Sequence, residues 1–370
     1  MNTIENRIKK ARKTFGKLNI DTLLILVEEN RRYLSGFTGE DTQFDESSGA
    51  LFISDKQSIL ATDSRYEEQA KNEAGLYDIV TYKEGLPNEM PNILKSLRTK
   101  RLGFESIRVS FLQMDTIKKQ LTKNKVRVSL IPTENIVENI RLIKDESEIQ
   151  KTKRALDVAE TAFLKFIHTI KPGMTEKDAA WLLEKKLRES GGDAMSFPVI
   201  CASGPNSALP HAIPGQRKII KGEPIIFDFG VKLNGYCSDT TRTVFFGKPD
   251  DSFKKVFQTV LNAQQMATEA IKPGKSSKTI DKIARDHIHK MGFKGKFGHS
   301  LGHGTGLAVH ELPRISPLKG TRLTPGMIFT VEPGIYLPGQ GGIRLENMVV
   351  VRDDGAEVLN KTTPTDFYQL

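Results

Sequence analysis

Four acids stand in two matched pairs. Lys221-Gly222-Glu223-Pro224-Ile225-Ile226-Phe227-Asp228 parallels Pro325-Gly326-Met327-Ile328-Phe329-Thr330-Val331-Glu332, with six residues from glycine to acid in both. Each acid is followed by a glycine within two residues and then by a second acid, Asp239 eleven later and Glu346 fourteen later. Four carboxylates brought together would repel and raise one another's pKa. Two divalent cations would balance them, and an oxygen-rich site with one imidazole suits manganese, iron, cobalt or zinc. Two such ions a few ångströms apart can share a water, lower its pKa and stabilise the oxyanion formed when it attacks.

The chain has seven histidines, three of them in Gly298-His299-Ser300-Leu301-Gly302-His303-Gly304-Thr305-Gly306-Leu307-Ala308-Val309-His310-Glu311. Glycines on both sides of His303 let backbone approach a site closely. His299 is the competing candidate for a ligand. His211, which follows Leu209-Pro210, lies 99 residues before His310. His168, His287 and His289 fall in helical stretches and read as ordinary surface or boundary residues.

The acid pairs belong to a longer repeat. Ile170-Lys171-Pro172-Gly173 recurs as Ile271-Lys272-Pro273-Gly274 at an offset near 101 residues. Each copy follows a long helix and precedes a second one, from Thr175 and from Ser277 or Lys278. The second half of the chain thus reads as two related halves, each with two helices and a β-hairpin carrying two acids. A pseudo-twofold axis would bring the hairpins together and turn the four carboxylates toward one another. Hairpins on different sheets would overturn that inference. In the first hairpin Ile225 to Phe227 leads to Asp228, Val231 to Tyr236 makes the return, Asp239 sits on the partner strand and Thr241 shares its face.

The first third alternates helices and strands: a helix over 4–18, a strand over 21–27, a hairpin of 49–53 with 57–61, a helix over 64–72, a strand over 77–82, a helix over 89–97, a strand over 101–104 and a helix over 112–121. It is an α/β domain without a cluster of potential ligands. Near Pro132 the pattern changes. Asp145-Glu146-Ser147-Glu148 has the form of a capping box opening a helix that runs to about Thr169. The expected domains are residues 1–132 and 133–370, with the boundary within 130–138.

At 370 residues the chain exceeds the usual size of one core. No window approaches 18 uncharged apolar residues, so no membrane span is expected. Met1-Asn2-Thr3-Ile4-Glu5-Asn6-Arg7 lacks the apolar core of a secretory signal, and two cysteines imply no disulfide framework, so a cytoplasmic location is expected. The net charge of +10 would suit nucleic acid. Lys9-Lys10, Lys185-Lys186 and Lys254-Lys255, however, sit in helix-like stretches, and no basic run is interleaved with aromatics, so a nucleic-acid partner is not expected.

Asp228-Phe229-Gly230 with Gly235-Tyr236-Cys237-Ser238-Asp239-Thr240-Thr241-Arg242-Thr243 resembles the first two-acid segment of the pita-bread metallopeptidases, the family of methionine aminopeptidase, aminopeptidase P and prolidase. Gly302-His303-Gly304-Thr305-Gly306 with His310-Glu311 resembles its histidine segment. Thr330-Val331-Glu332-Pro333-Gly334-Ile335-Tyr336 and Gly342-Ile343-Arg344-Leu345-Glu346-Asn347 resemble its last two. The match spans roughly residues 145–360, and the first third resembles the N-terminal domain of the creatinase, prolidase and aminopeptidase P branch.

The resemblance implies an α/β N-terminal domain and an α+β pita-bread C-terminal domain with a pseudo-twofold internal repeat. It implies that Asp228 and Asp239 chelate one divalent metal ion, that His303 and Glu332 bind a second, and that Asp239 and Glu346 bridge the two. Manganese comes first, with cobalt, zinc or iron as alternatives. A bridging hydroxide would attack the scissile carbonyl, and Glu332 would pass the proton toward the leaving nitrogen. His310 would hydrogen-bond the substrate and the tetrahedral intermediate; His211 and His299 would line the pocket. Arg344 would hold a bridging carboxylate, with Thr241 as the matching hydroxyl. Cys201 and Cys237 match no ligand position. A homodimer is implied.

The N-terminal domain implies specificity for a proline in second place, a tertiary amide that ordinary proteases handle poorly. The expected activity is that of an Xaa-Pro aminopeptidase acting on short proline-containing peptides, with prolidase, which cuts only dipeptides, as the alternative. Arg314 could hold a dipeptide's carboxylate but does not separate the two. A metal-free enzyme such as creatinase and a non-enzymatic binding protein are the remaining readings.

Overall fold

The computed structural model describes residues 3–44, 46–363, 365 and 368–370. Met1 and Asn2, part of the stretch inspected for a leader, lie outside them. The chain divides into two compact units, Met1–Arg141 and Leu142–Leu370. No helix among the described residues is long and apolar enough to cross a membrane.

The first unit runs α1 (Thr3–Arg12), α2 (Phe15–Leu18), β1 (Thr22–Ile25), α3 (Glu28–Ser35), β2 (Ala50–Ser54), β3 (Ser58–Asp63) and α4 (Glu67–Glu73). It continues with β4 (Asp78–Tyr82), α5 (Leu86–Ser96), β5 (Arg101–Glu105), α6 (Phe111–Lys123), β6 (Ser129–Thr133) and α7 (Ile136–Arg141). Its six-stranded sheet has the order β4-β3-β2-β1-β5-β6. Leu24, Phe52, Ile59, Met90, Ile93 and Leu102 form its core.

Three elements, α3, β6 and α7, escaped the sequence pattern. α3 opens on Val27, which caps nothing with its side chain. Its start is held instead by Glu105, 78 residues away, whose Oε2 accepts from the N–H groups of Leu26 at 2.6 Å and Val27 at 2.7 Å. β6 pairs parallel with β5 at the edge of the sheet. An edge strand tolerates Pro132, which lacks a backbone donor. α7 packs on α1 and α3. The division therefore falls after Arg141 rather than between residues 132 and 133.

The second unit repeats itself. Its first half holds α8 (Glu146–Ile167), α9 (Glu176–Glu189), β7 (Ala194–Met195), β8 (Ile200–Ser203), β9 (Pro224–Phe229), β10 (Val231–Leu233), β11 (Tyr236–Cys237) and β12 (Thr240–Phe245). Its second half holds α10 (Asp251–Glu269), α11 (Ser277–Ile288), β13 (Gly302–Gly304), β14 (Glu311–Ile315), β15 (Ile328–Val331), β16 (Gly334–Leu337), β17 (Gly341–Arg344) and β18 (Asn347–Val351). β19 (Ala356–Val358) and β20 (Tyr368–Gln369) close the chain. Both Pro-Gly turns tie down alike: the Gly173 N–H donates to Ile219 O at 2.9 Å and the Gly274 N–H to Leu323 O at 2.8 Å. Phe163 of α8 stacks on Phe229 at 4.7 Å, packing one helix pair on one sheet. Phe257 and Val260 of α10 pack with Phe329 and Val331 in the other half.

The hairpins do not share a sheet. β9 and β12 belong to the four-stranded order β20-β12-β9-β8, while β15 and β18 belong to β14-β13-β15-β18-β19. The residues after Glu332 form a third, two-stranded sheet of β16 and β17. Meeting through one sheet, as the repeat suggested, is thus wrong. The halves meet through cross-sheet bonds instead. The Glu346 N–H donates to Thr241 O at 3.1 Å, and the Thr243 hydroxyl donates to Arg344 O at 2.8 Å.

The capping box that opens α8 forms as its sequence suggests. The Glu148 N–H donates to Asp145 Oδ1 and the Asp145 N–H to Glu148 Oε2, each at 3.0 Å. Asp145→Ala should cost about 1 kcal/mol and lower the Tm of the second unit by roughly 2–4 °C. Scanning calorimetry checks this, and an unchanged transition would remove the cap from the account.

Candidate metal centre

β9 and β12 pair so that Asp228 opposes Thr241, and Asp239 immediately precedes β12 rather than lying on it. Glu332 follows β15 directly, and Glu346 sits between β17 and β18. His303 is the middle residue of β13, flanked by glycines for a steric reason. A Cβ on Gly302 would lie 1.9 Å from Thr330 O, and one on Gly304 would lie 2.1 Å from Leu312 O. Only glycines let β13 sit this close to its neighbours and aim His303 at the acids. Its Nε2 lies 3.5 Å from Asp239 Oδ2 and 3.4 Å from Glu332 Oε1. One ligand atom each from Asp239, His303 and Glu346 falls within 4.8 Å of the others, the spacing of donors around one cation.

All four acids have raised carboxyl pKa values. Burial is the first cause at each. For Asp239 the charges of Glu346, Asp228 and Glu332 push further in the same direction, and for Glu346 those of Glu332 and Asp228 do. Burial lowers His303 to about 4, so its imidazole is neutral at neutral pH, the form that binds metals. Asp228 Oδ1 is buried without a hydrogen-bond partner. An orphaned carboxylate oxygen, two buried acids, the half-buried Glu332 and a neutral imidazole fit divalent cations.

Second-row contacts hold the acids in place. The Thr241 hydroxyl donates to Glu346 Oε2 at 2.7 Å, and the Thr330 hydroxyl donates to Glu332 Oε1 at 3.0 Å. Thr330 also accepts from the His303 N–H at 3.1 Å. Arg344 does not grip a bridging carboxylate, as the resemblance suggested. Its Nη2 pairs with Asp228 Oδ2 at 2.7 Å, and its Nε donates to the Thr241 hydroxyl at 3.1 Å. Arg344 Nη1 reaches the Tyr336 hydroxyl and Pro210 O, each at 3.1 Å. Tyr336 and Thr330 were quoted in the motifs without a role; a hydroxyl two residues from an acid, as in Thr241 after Asp239, was the available signal for Thr330.

His299 stands behind this row. Its Nδ1 meets Ser300 O at 2.8 Å and its Nε2 meets the Tyr336 hydroxyl at 2.9 Å, so both ring nitrogens are engaged away from the acids. His310 is exposed, with its ring 4.2 Å from that of His303. Burial and then the charge of His211 lower its pKa. His211 is exposed on a loop tied at both ends by the buried Glu176, which accepts from the Ser203 N–H at 2.8 Å and the Gly215 N–H at 3.2 Å. Arg314 is exposed and faces His303 across the β13–β14 ladder. Cys237 Sγ points to Leu307 O at 3.7 Å, and Cys201 is buried in β8.

Residues 150–353 match the model of metallopeptidase family M24, and residues 7–143 match the creatinase/prolidase N-terminal domain. The chain belongs to metallopeptidase family M24. It is a hydrolase of the branch that carries the creatinase/prolidase N-terminal domain, and its acid cluster lies within the part that matches the M24 model. Among solved structures it is similar to an Xaa-Pro dipeptidase from Bacillus anthracis, with 38% identity and a TM-score of 0.93 over 99% of this chain and 100% of that one. An X-Pro aminopeptidase from Thermotoga maritima is 37% identical with a TM-score of 0.87, covering 97% of this chain and 100% of that one. Over 97% of this chain and 99% of its relative, an Xaa-Pro dipeptidase from Pyrococcus furiosus is 33% identical.

The raised carboxyl pKa values set a pH dependence. Without metal, the folded cluster holds protons that the unfolded chain releases in the ordinary carboxylate range. The associated stability is full below that range and is lost as pH rises through the raised values. Metal needs ionised carboxylates and so opposes that loss. Manganese at about 100-fold above its Kd should raise the Tm by roughly 5–10 °C at pH 8 and by less at pH 5. Equal shifts at both pH values in a thermal melt would contradict this electrostatic account.

Proposed function

We propose that this M24 hydrolase is an Xaa-Pro dipeptidase that works with two divalent cations held by Asp228, Asp239, His303, Glu332 and Glu346. The convergence of Asp239, Glu332 and Glu346 on the neutral imidazole of His303, with the charge of Asp228 felt by the same acids, carries the reading. When bound, the cations would acidify water and polarise the scissile carbonyl. The chain's own residues do the rest. Glu332, its carboxyl pKa raised by burial, can take a proton and pass it to the leaving nitrogen. The Thr330 hydroxyl fixes the carboxyl's orientation. His310, its pKa lowered, is neutral at neutral pH and can donate a hydrogen bond to the carbonyl oxygen as charge develops there. His211 stands close enough to influence both Asp228 and His310, and lines the mouth.

The choice of dipeptidase over aminopeptidase departs from the expectation drawn from the sequence. Two similar proteins, from B. anthracis and P. furiosus, are named Xaa-Pro dipeptidases. Arg314, whose charge bears on His310, could hold a substrate carboxylate but does not separate the two readings. The T. maritima X-Pro aminopeptidase, nearly as similar, supports the second reading of an Xaa-Pro aminopeptidase. For the manganese-loaded protein we expect an Xaa-Pro dipeptide to be turned over at least tenfold better in kcat/KM than an Xaa-Pro-Xaa tripeptide. Comparable turnover of the tripeptide would transfer the assignment to aminopeptidase.

Asp239→Ala and Glu346→Ala test the metal assignment directly. Each should release at least one equivalent of metal on elemental analysis and lose nearly all hydrolysis. Full activity in either variant would remove the bridging roles.

A further inference from the structure

We propose that Lys144 and Glu311 are positioning residues for His310, acting through the turn that His303 and His310 share. The proposal rests on the role given above to His310.

Lys144 Nζ meets Glu311 Oε1 at 2.6 Å, with the two side chains only 1% and 7% exposed. A buried ion pair loses hydration on both partners, and apolar side chains of equal volume often hold a fold as well. What such a pair adds is a fixed geometry. Glu311 is the residue after His310 and the first of β14, opposite Gly304. Its carboxylate folds back across the turn. A Cβ on Gly306 would lie 2.4 Å from Glu311 Oε1 and 3.2 Å from Lys144 Cε. Glycine at 306 is therefore what leaves room for the clamp.

The other end of the clamp is rigid. The Lys144 N–H donates to Gly326 O at 2.8 Å, and the next residue caps α8. The turn itself is tied by the Cys237 N–H to Gly306 O at 2.7 Å and by the Thr305 hydroxyl to Val309 O at 3.1 Å. His310 makes no hydrogen bond among the described residues; its ring rests edge-on against His303. Its direction is thus set by its backbone and by that one ring contact. The clamp grips the backbone one residue further on.

The test is a double-mutant cycle in the full-length, metal-loaded protein with an Xaa-Pro dipeptide. Lys144→Met should lower kcat by about 10- to 100-fold with little change in KM, because a misplaced His310 fails mainly in the transition state. Metal content should stay at the wild-type level. Lys144→Met with His310→Ala should be no slower than His310→Ala alone. Losses that multiply would overturn the proposal, and so would loss of metal from Lys144→Met, since the clamp would then serve His303. If Lys144→Met does not fold, Glu311→Gln, which keeps the volume and removes the charge that fixes Nζ, carries the same cycle.

A second readout needs no turnover. With ¹⁵N-labelled histidine, the imidazole signals of His310 should shift in the clamp variant, while those of His299, held between Ser300 and Tyr336, stay in place. Unmoved His310 signals would overturn the proposal. Absence of peptide cleavage by the wild type would count against the hydrolytic reading alone.

Discussion

Four carboxylates in mutual electrostatic reach, Asp239 and Glu346 buried and Asp228 and Glu332 half-buried, form the constraint on which the second unit depends. Ionising a single carboxylate away from water costs on the order of several kcal/mol even after relaxation. A whole domain is stable by only about 5–15 kcal/mol. Four such charges cannot be carried unless protons or cations balance them. Arg344 supplies one fixed positive charge, paired directly with Asp228. His303 supplies none, since burial keeps its ring neutral. The cluster therefore suits completion by cations, which displace the protons that balance it without them.

That framework is made of close backbone approaches more than of long side chains. Gly302 and Gly304 admit β13 between its neighbours, and Gly306 admits the carboxylate of Glu311. Hydroxyls then finish the placement: Thr241 on Glu346 and Thr330 on Glu332. A hydroxyl donates one short bond and brings no charge, so it can orient a carboxylate without competing with a cation. Arg344 works over a longer span. It joins Asp228, Thr241 and Tyr336 to the carbonyl of Pro210, the neighbour of His211. One side chain thus links an acid of the cluster to the loop that carries His211.

Much of this was legible in the chain before any coordinate. The acid pairs followed from the Gly-to-acid repeat, and the α8 cap from Asp145 and Glu148, because both signals are local. What was missed depends on contacts remote in sequence. α3 has no local cap and owes its start to Glu105, so no window around Val27 could reveal it. Pro132 read as a domain boundary because the edge position that tolerates it is a property of the sheet. The separation of the two acid-bearing hairpins onto different sheets was hidden for the same reason, since a repeat fixes the likeness of two halves and not how they dock. Arg344 was expected on a bridging carboxylate and pairs instead with Asp228, because spacing cannot say which carboxylate a long side chain reaches.

The duplication also explains why the cluster is lopsided. β8 pairs with β9 as β13 pairs with β15, and the ladders align Ser203 with Ile225 and Gly304 with Phe329. With Gly222 matched to Gly326, Ile225 corresponds to Phe329, so Ser203 corresponds to Gly304 and Ala202 to His303. Where the second half aims an imidazole at the acids, the first half buries a methyl group. The arginine breaks the symmetry in the opposite sense. Two residues before Glu346 stands Arg344, and two before Asp239 stands Cys237, whose sulfur turns to Leu307 O. Arg344 pairs directly with Asp228, while Glu332 lies against the neutral ring of His303. Two halves with matched acids have become two electrically different environments through single side chains at equivalent positions.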